Sequence, residues 1–383
     1  MNLFDVYSVW PIEPVKAQGC YIWDENGTKY LDMYGGHAVI SVGHCHPHYV
    51  ESIKNQLDRI SFYSNSVVNS LQNRLATKLG ELSGYSNFSL FLSNSGAEAN
   101  ENAIKIASFH TKKRKFISFG GSFHGRTVGA VSLTDNPAIW SSYNCNNDVT
   151  IIKDFCVESV EMSLKTGDYA GVIIEPIQGV AGIVAPHKDF LNQLRLLTSS
   201  YGALLIIDEV QSGYGRSGRF FAHQYSGITP DIITVAKGMA NGFPIGGTLI
   251  SPSISPSKGM LGTTFGGNHL ACVAAISVLE IIEQESLVTN AYNMGSYLKE
   301  QLVKMKDQYP DVIADVRGEG LMIGVEFMSG FEQIRDLILK EKKIFVGSAK
   351  KSVMRLLPPL SIDKSIVDHF ITCFNDLIVK ITN

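Results

Sequence analysis

The sequence predicts an α/β fold whose mostly parallel sheet is covered on both faces, and three observations carry that expectation. Short apolar runs recur through the middle of the chain, at 89–93, 115–119, 171–175, 203–208, 231–236 and 246–250. Helical patterns alternate with them, as at 97–110 and 188–200. The 35 glycines are spread along the chain, with no linker, internal repeat or charge block. Such β-α alternation buries strands from both sides and places ligands at the carboxyl ends of the strands.

The flanks follow a different pattern. Short β-like pieces lie at 19–24 and 29–33. A long helical pattern, 270–285 and onward past 290, precedes an extended stretch at 316–327, then a helix, a strand and a last helix near 363–381. The expected division is an N-terminal segment, 1–45, that joins a small α+β domain at 286–383, with a large domain at 46–285 between them.

A chain of 383 residues, 45% hydrophobic and 18% charged, can bury an ordinary core. Its formal net charge of −3 offers no basic footprint for nucleic acid or an anionic membrane. No stretch approaches the roughly 20 apolar residues of a membrane span. Met1-Asn2-Leu3-Phe4-Asp5 has neither the basic nor the apolar region of a secretory leader. Six cysteines, at 20, 45, 145, 156, 272 and 373, show no CxxC spacing, which suits reduced thiols. The expectation is a soluble cytoplasmic protein.

Two strand-end residues carry the chemistry. Lys237 closes the run Ile232-Ile233-Thr234-Val235-Ala236, and Asp208 closes Ala203-Leu204-Leu205-Ile206-Ile207. A desolvated lysine able to form a Schiff base, with a carboxylate able to hold a pyridinium nitrogen protonated, is the minimum for pyridoxal 5'-phosphate chemistry. Ser93-Asn94-Ser95-Gly96-Ala97 leads from a strand into a helix, where free N–H groups favour a phosphate. Alone, it is equally a serine-capped turn. In Ser122-Phe123-His124-Gly125-Arg126-Thr127, Phe123 could stack on a flat ring and Arg126 could grip a carboxylate. Without context these are a core aromatic and a surface arginine. Val210 and Gln211, just past Asp208, could pack on the ring and reach its phenolic oxygen.

Two other motifs carry less. Gly213-Tyr-Gly215-Arg-Ser-Gly218 matches the dinucleotide pattern GxGxxG, which would make the protein a nicotinamide-dependent oxidoreductase. The space before Pro230 is too short for the required helix, and no acidic strand end follows at the right distance. His44-Cys45-His46-Pro47-His48 looks metal-like, but Pro47 imposes a turn and no second ligand cluster accompanies it, so no metal is expected.

Taken together and in order, these segments resemble the class III aminotransferases of pyridoxal phosphate fold type I, most closely the acetylornithine/succinylornithine aminotransferases. The likeness runs almost end to end. It is carried by Gly43-His-Cys-His-Pro47, Ser93-Asn-Ser-Gly-Ala-Glu-Ala-Asn100, Ser122-Phe-His-Gly-Arg-Thr127, Glu175-Pro-Ile-Gln-Gly179, Asp208-Glu-Val-Gln-Ser-Gly213, Ala236-Lys-Gly238, Gly262-Thr-Thr-Phe-Gly-Gly-Asn268 and Arg355-Leu-Leu-Pro-Pro359.

The resemblance implies a seven-stranded sheet sandwiched by helices. It implies that Lys237 binds the cofactor covalently and shuttles a proton, and that Asp208 pairs with the pyridine nitrogen. Gly96 and Ala97 would hold the phosphate, joined by Thr264 reaching across to the neighbouring subunit. Phe123, Val210 and Gln211 would line the ring. Arg126, with Thr263 nearby, would bind the α-carboxylate of an N-acylornithine, and Arg355 that of glutamate or 2-oxoglutarate. A homodimer in a pathway of arginine biosynthesis is implied, with ornithine or 4-aminobutyrate as the alternative amine donor.

This chain departs from the family at one place. Related enzymes usually read Glu-Pro-x-Gln-Gly-Glu, and the final glutamate can pair with the arginine equivalent to Arg355. Here Val180 holds that position. An unpaired, desolvated arginine is costly. The departure therefore points to a donor that brings a second carboxylate, N-succinylornithine rather than N-acetylornithine.

Overall fold

The computed structural model describes every residue except 2, 145–147, 188 and 383. The cysteine at 145 and the expected helix start at 188 lie outside the described residues. From edge to edge, a seven-stranded sheet runs Ser89–Ser93, Gly246–Ile250, Ile232–Val235, Leu204–Asp208, Tyr169–Ile174, Lys115–Phe119, Val149–Ile152. All described ladders in it are parallel except the two made by Gly246–Ile250, which is antiparallel to both neighbours.

The central strands are apolar because both faces are covered. Leu205, Ile206, Ile207, Ile232 and Ile233 are fully buried. Leu205 and Ile207 pack with Phe190 and Leu194 of the Phe190–Tyr201 helix. Ile206 and Ile232 pack on the opposite side with Ala103 and Ile106 of the Gly96–Thr111 helix.

Three details differ from the sequence pattern. The long helix breaks at Ser286, in the left-handed region at φ 52°, into His269–Gln284 and Leu287–Gln308. The 316–327 stretch belongs to a hairpin, Ile313–Glu319 with Met322–Phe327, which turns through Gly320 at φ 55°. Two further helices, Pro47–Leu57 and Ser70–Ser83, fill the region before the first strand of the large sheet. The first begins at Pro47, whose fixed φ and missing N–H suit a helix start.

Strands from the two chain ends meet. Lys29–Asp32 pairs in parallel with Ile344–Phe345, in a sheet that also contains Pro14–Gln18 and Tyr21–Asp24. A second small sheet joins the 313–327 hairpin to Val353–Leu356 and Gly347–Ala349.

Two side chains tie these parts to the large sheet. Asn241 accepts from the backbone N–H of Ser41 and Val42 (2.8 and 3.1 Å) and donates to the Gly43 carbonyl at 2.9 Å. Arg216 is buried and donates to the carbonyls of Leu321, Pro358 and Ile40. Burial pulls its guanidinium down to about 9, against a weak opposing pull from Asp32. Among the described residues no helix is long and apolar enough to cross a membrane.

The Asn241 staple predicts a measurable loss. Asn241→Ala removes three buried hydrogen bonds and leaves alanine at a left-handed φ of 50°. Urea denaturation should show destabilisation of about 2–4 kcal/mol. A loss below about 1 kcal/mol would mean that packing alone holds the 41–43 segment.

Candidate active site

Strand ends of the large sheet open onto a cavity of about 390 Å3. Gly96, Ala97, Phe123, Arg126, Asp208, Val210, Gln211 and Lys237 all line it, so the sequence-predicted residues on this sheet converge. Val180 lines it too. The remaining three expected residues lie elsewhere. Thr263 is bonded to Asn94 beside the cavity, at 3.3 Å. Thr264 does not line the cavity of its own chain. Arg355 sits behind Gln211, 4% exposed, with Nη1 donating to the Gln211 amide oxygen at 3.5 Å.

Asp208, at the carboxyl end of a central strand, is 3% exposed. Its Oδ2 accepts from Nδ1 of His124 at 2.7 Å and from the side-chain amide of Asn100 at 2.8 Å. Its Oδ1 accepts from the Val210 N–H at 3.0 Å. Asn100 also donates to the His124 carbonyl and accepts from the Thr234 hydroxyl. Oδ2 is therefore saturated by side chains, while Oδ1 keeps a lone pair for a further donor such as a pyridinium N–H.

Neither Asn100 nor His124 had been assigned a role from sequence. Asn100 lies four residues after Gly96 on the same helix, one turn on. That i, i+4 spacing was the available signal.

The anionic end is set by the Gly96–Thr111 helix. Ser95 caps it by accepting from the Glu98 N–H at 3.1 Å, and sixteen aligned peptides point their positive end at the cavity. A Cβ on Gly96 would lie 2.6 Å from a Val210 methyl, so only glycine lets this helix approach the turn after Asp208.

Lys237 follows its strand at φ 45°, and the neighbouring Gly238 carbonyl accepts from the Ser41 hydroxyl at 2.8 Å. Burial pulls the Lys237 amine down to about 8, against the pull of Asp208 and Glu175. Glu175, at the end of the next strand over from Asp208, accepts from the N–H groups of Phe123 and Gly179. Burial pushes its carboxyl up to about 7, with the negative charge of Asp208 adding to the effect and His124 opposing it.

An anion seat, flat walls from Phe123 and Val210, a carboxylate with a spare lone pair and a buried amine suit pyridoxal 5'-phosphate.

The discounted motifs have structural uses. The 213–218 loop is buried and is followed by a 3-10 turn at Ala222–Ser226, where a dinucleotide fold would need a helix. His44, His46 and His48 pair with Asp32, Glu285 and Glu280 respectively. No metal-ligating cluster occurs among the described residues.

Residues 5–378 match the family described as aminotransferase class-III. The acetylornithine aminotransferase of Archaeoglobus fulgidus is 39% identical over 370 residues, 96% of either chain. That of Bacillus subtilis is 40% identical over 95% of this chain and 94% of its own. Among solved structures, the ornithine aminotransferase from Toxoplasma gondii superposes with a TM-score of 0.92 at 29% identity, covering 99% of this chain and 93% of that one.

The depressed Lys237 amine gives a prediction for the cofactor-free protein. Acylation of Lys237 by a neutral reagent, followed by mass spectrometry, should rise with pH around a midpoint near 8. The sign follows from the reactive form: the neutral amine accumulates above the midpoint. A midpoint near the ordinary 10.5 would contradict the burial argument.

Proposed function

Because the chain belongs to the class-III aminotransferase family, we propose that it moves the δ-amino group of an N2-acylornithine to 2-oxoglutarate, giving the acylglutamate semialdehyde and glutamate. Arginine biosynthesis in the cytoplasm is the setting that suits these reactants. The observation that carries the substrate assignment is that two guanidinium groups serve one buried amine. Arg126 lines the cavity with Lys237, and the charge of Arg355 acts on Lys237 from behind Gln211. Two anionic substrates taken in turn need two such seats.

When bound, pyridoxal phosphate supplies an electrophilic carbon and a ring that withdraws electrons from the substrate carbon. The chain's residues do the rest. Asp208 Oδ1 holds the ring nitrogen's proton, with Oδ2 fixed by His124 and Asn100. Phe123 and Val210, which line the cavity, would flank the ring and keep water out. The helix beginning at Gly96 seats the phosphate. Lys237 Nζ, whose burial favours the neutral amine, would move the proton to and from the substrate's δ-carbon. Arg126, with Thr263 nearby, orients the donor by its α-carboxylate, and Arg355 receives the acceptor's.

A homodimer completes this reading. The loop that carries Thr264 continues into exposed Phe265, whose ring lies 5.4 Å from exposed Phe62. Leu3, Phe4, Tyr7 and Val9 are exposed as well. A second copy would cover these apolar groups and take Thr264 to its own phosphate seat. We also read 1–45 and 286–383 as one small domain beside 46–285, supported by the pairing of Lys29–Asp32 with Ile344–Phe345.

Donor choice follows from charge. Arg355 donates to Gln211 and Tyr34 and pairs with no carboxylate among the described residues, and Val180 is 42% exposed. Glu175 acts on Arg355 by its charge, and no hydrogen bond joins the two among the described residues. N-succinylornithine is thus the preferred donor.

Single-turnover spectroscopy of the cofactor-loaded protein should show faster change of visible absorption with N-succinylornithine than with N-acetylornithine. Ornithine and 4-aminobutyrate should both be slower still. Equal rates, or a faster acetyl donor, would remove the succinyl preference and leave the acylornithine assignment. Faster ornithine or 4-aminobutyrate would replace that assignment. Lys237→Ala should lower turnover by about a hundredfold or more; near-normal turnover would refute the role of this lysine.

A further inference from the structure

The side of the site next to Arg355 contains a polar ring, two of whose members, Tyr34 and His37, have no part in the reaction above. Arg355 Nη2 donates to the Tyr34 hydroxyl at 3.3 Å, and that hydroxyl makes a short hydrogen bond with Nδ1 of His37. Gln211 closes the ring: its amide nitrogen donates to the His37 carbonyl at 3.3 Å, and its amide oxygen accepts from Arg355.

A guanidinium can only donate, so the Tyr34 oxygen accepts from Arg355. Every proton of the ring then has an acceptor in the arrangement where Tyr34 gives its own to His37 Nδ1. Burial holds the Tyr34 phenol above its ordinary range, so it keeps that proton. Burial, with the positive charges of Arg355 and Lys237, pushes His37 below its ordinary value and keeps the ring neutral. A neutral imidazole that accepts at Nδ1 carries its proton on Nε2. That N–H has no partner among the described residues, and His37 is exposed.

The backbone here is strained in a way that loop formation does not require. Gly35, Gly36, His37 and Ala38 are all left-handed, at φ 56°, 54°, 67° and 65°. Glycine accepts this freely, while histidine and alanine do not. Both sides of the structure hold the segment in place. Asp32 accepts from the N–H groups of Tyr34 and Gly35. The Tyr34 ring lies where a Cβ on Gly347 would strike it.

We propose that His37 is a specificity-determining residue whose Nε2–H gives the dicarboxylic acceptor a second, uncharged donor beside the Arg355 guanidinium. The proposal rests on the assignment of Arg355 to the acceptor's carboxylate. An uncharged donor strengthens the hold on an anion without adding a second buried cation when the anion leaves.

The test is calorimetric binding of glutarate, an unreactive dicarboxylate, to the holoenzyme. Two substitutions suit the left-handed backbone: His37→Gly removes the ring, and His37→Asn keeps an N–H donor. His37→Gly should weaken glutarate about tenfold, and His37→Asn should recover most of that loss. The KM for N-acetylornithine, which brings no second carboxylate to Arg355, should change less than about twofold in either. Unchanged glutarate binding in His37→Gly, or equal losses for glutarate and donor, would overturn the proposal. Arg355→Ala separates the two layers. If it binds glutarate as the wild type does, the Arg355 assignment fails and the His37 proposal with it. If Arg355→Ala loses glutarate while His37→Gly does not, the His37 proposal alone fails.

Discussion

One carboxylate oxygen, Asp208 Oδ2, joins four separate pieces of the chain. Its two donors come from the helix that offers the anion seat and from the loop that offers Phe123, and Asn100 extends the link to Thr234 on the strand that ends at Lys237. In a water-poor interior such bonds are strong when all are made and costly when one is missing. The relative placement of the Gly96 helix start, Phe123 and Lys237 is therefore set by one buried polar network. The desolvation that makes this network strict also pulls the Lys237 amine down.

The fold was legible where burial is complete. Strands covered on both faces write themselves as unbroken apolar runs, as at Ala203-Leu204-Leu205-Ile206-Ile207. Edge position and direction leave less trace. Val149–Ile152 is a four-residue edge strand, and nothing in Gly246-Gly-Thr-Leu-Ile250 says that it runs against its neighbours. The break at Ser286 depends on a backbone conformation that serine rarely takes, which propensity cannot foresee.

At the site, Lys237 and Asp208 stood out because each closes an apolar run with a charge. Asn100 and His124 stood inside visible motifs, yet their partners lie 108 and 84 residues away, and pairing over such distances has no local signature. Tyr34 and His37 went unnoticed for another reason: a glycine pair followed by histidine reads as an ordinary loop. The glycine-rich 213–218 loop showed the reverse problem. Its spacing imitates a dinucleotide motif, while Gly215 and Gly218 lie close against Val288 and Tyr292 and Arg216 bonds the carbonyls of Leu321, Pro358 and Ile40.

The bonds that fix the first forty residues have an ordering in time. Ser41 and Val42 pair with Asn241, Lys29–Asp32 pairs with Ile344–Phe345, and Arg216 joins Ile40 to Pro358. During synthesis the 29–42 stretch thus waits for distant partners, although Lys29–Asp32 can pair with Tyr21–Asp24 at once. The long contacts close last, when the entropy of the intervening loop is already reduced by the folded sheet. The pocket wall containing Tyr34 and Arg355 therefore cannot form until Arg355 has been made, well after the lysine it faces.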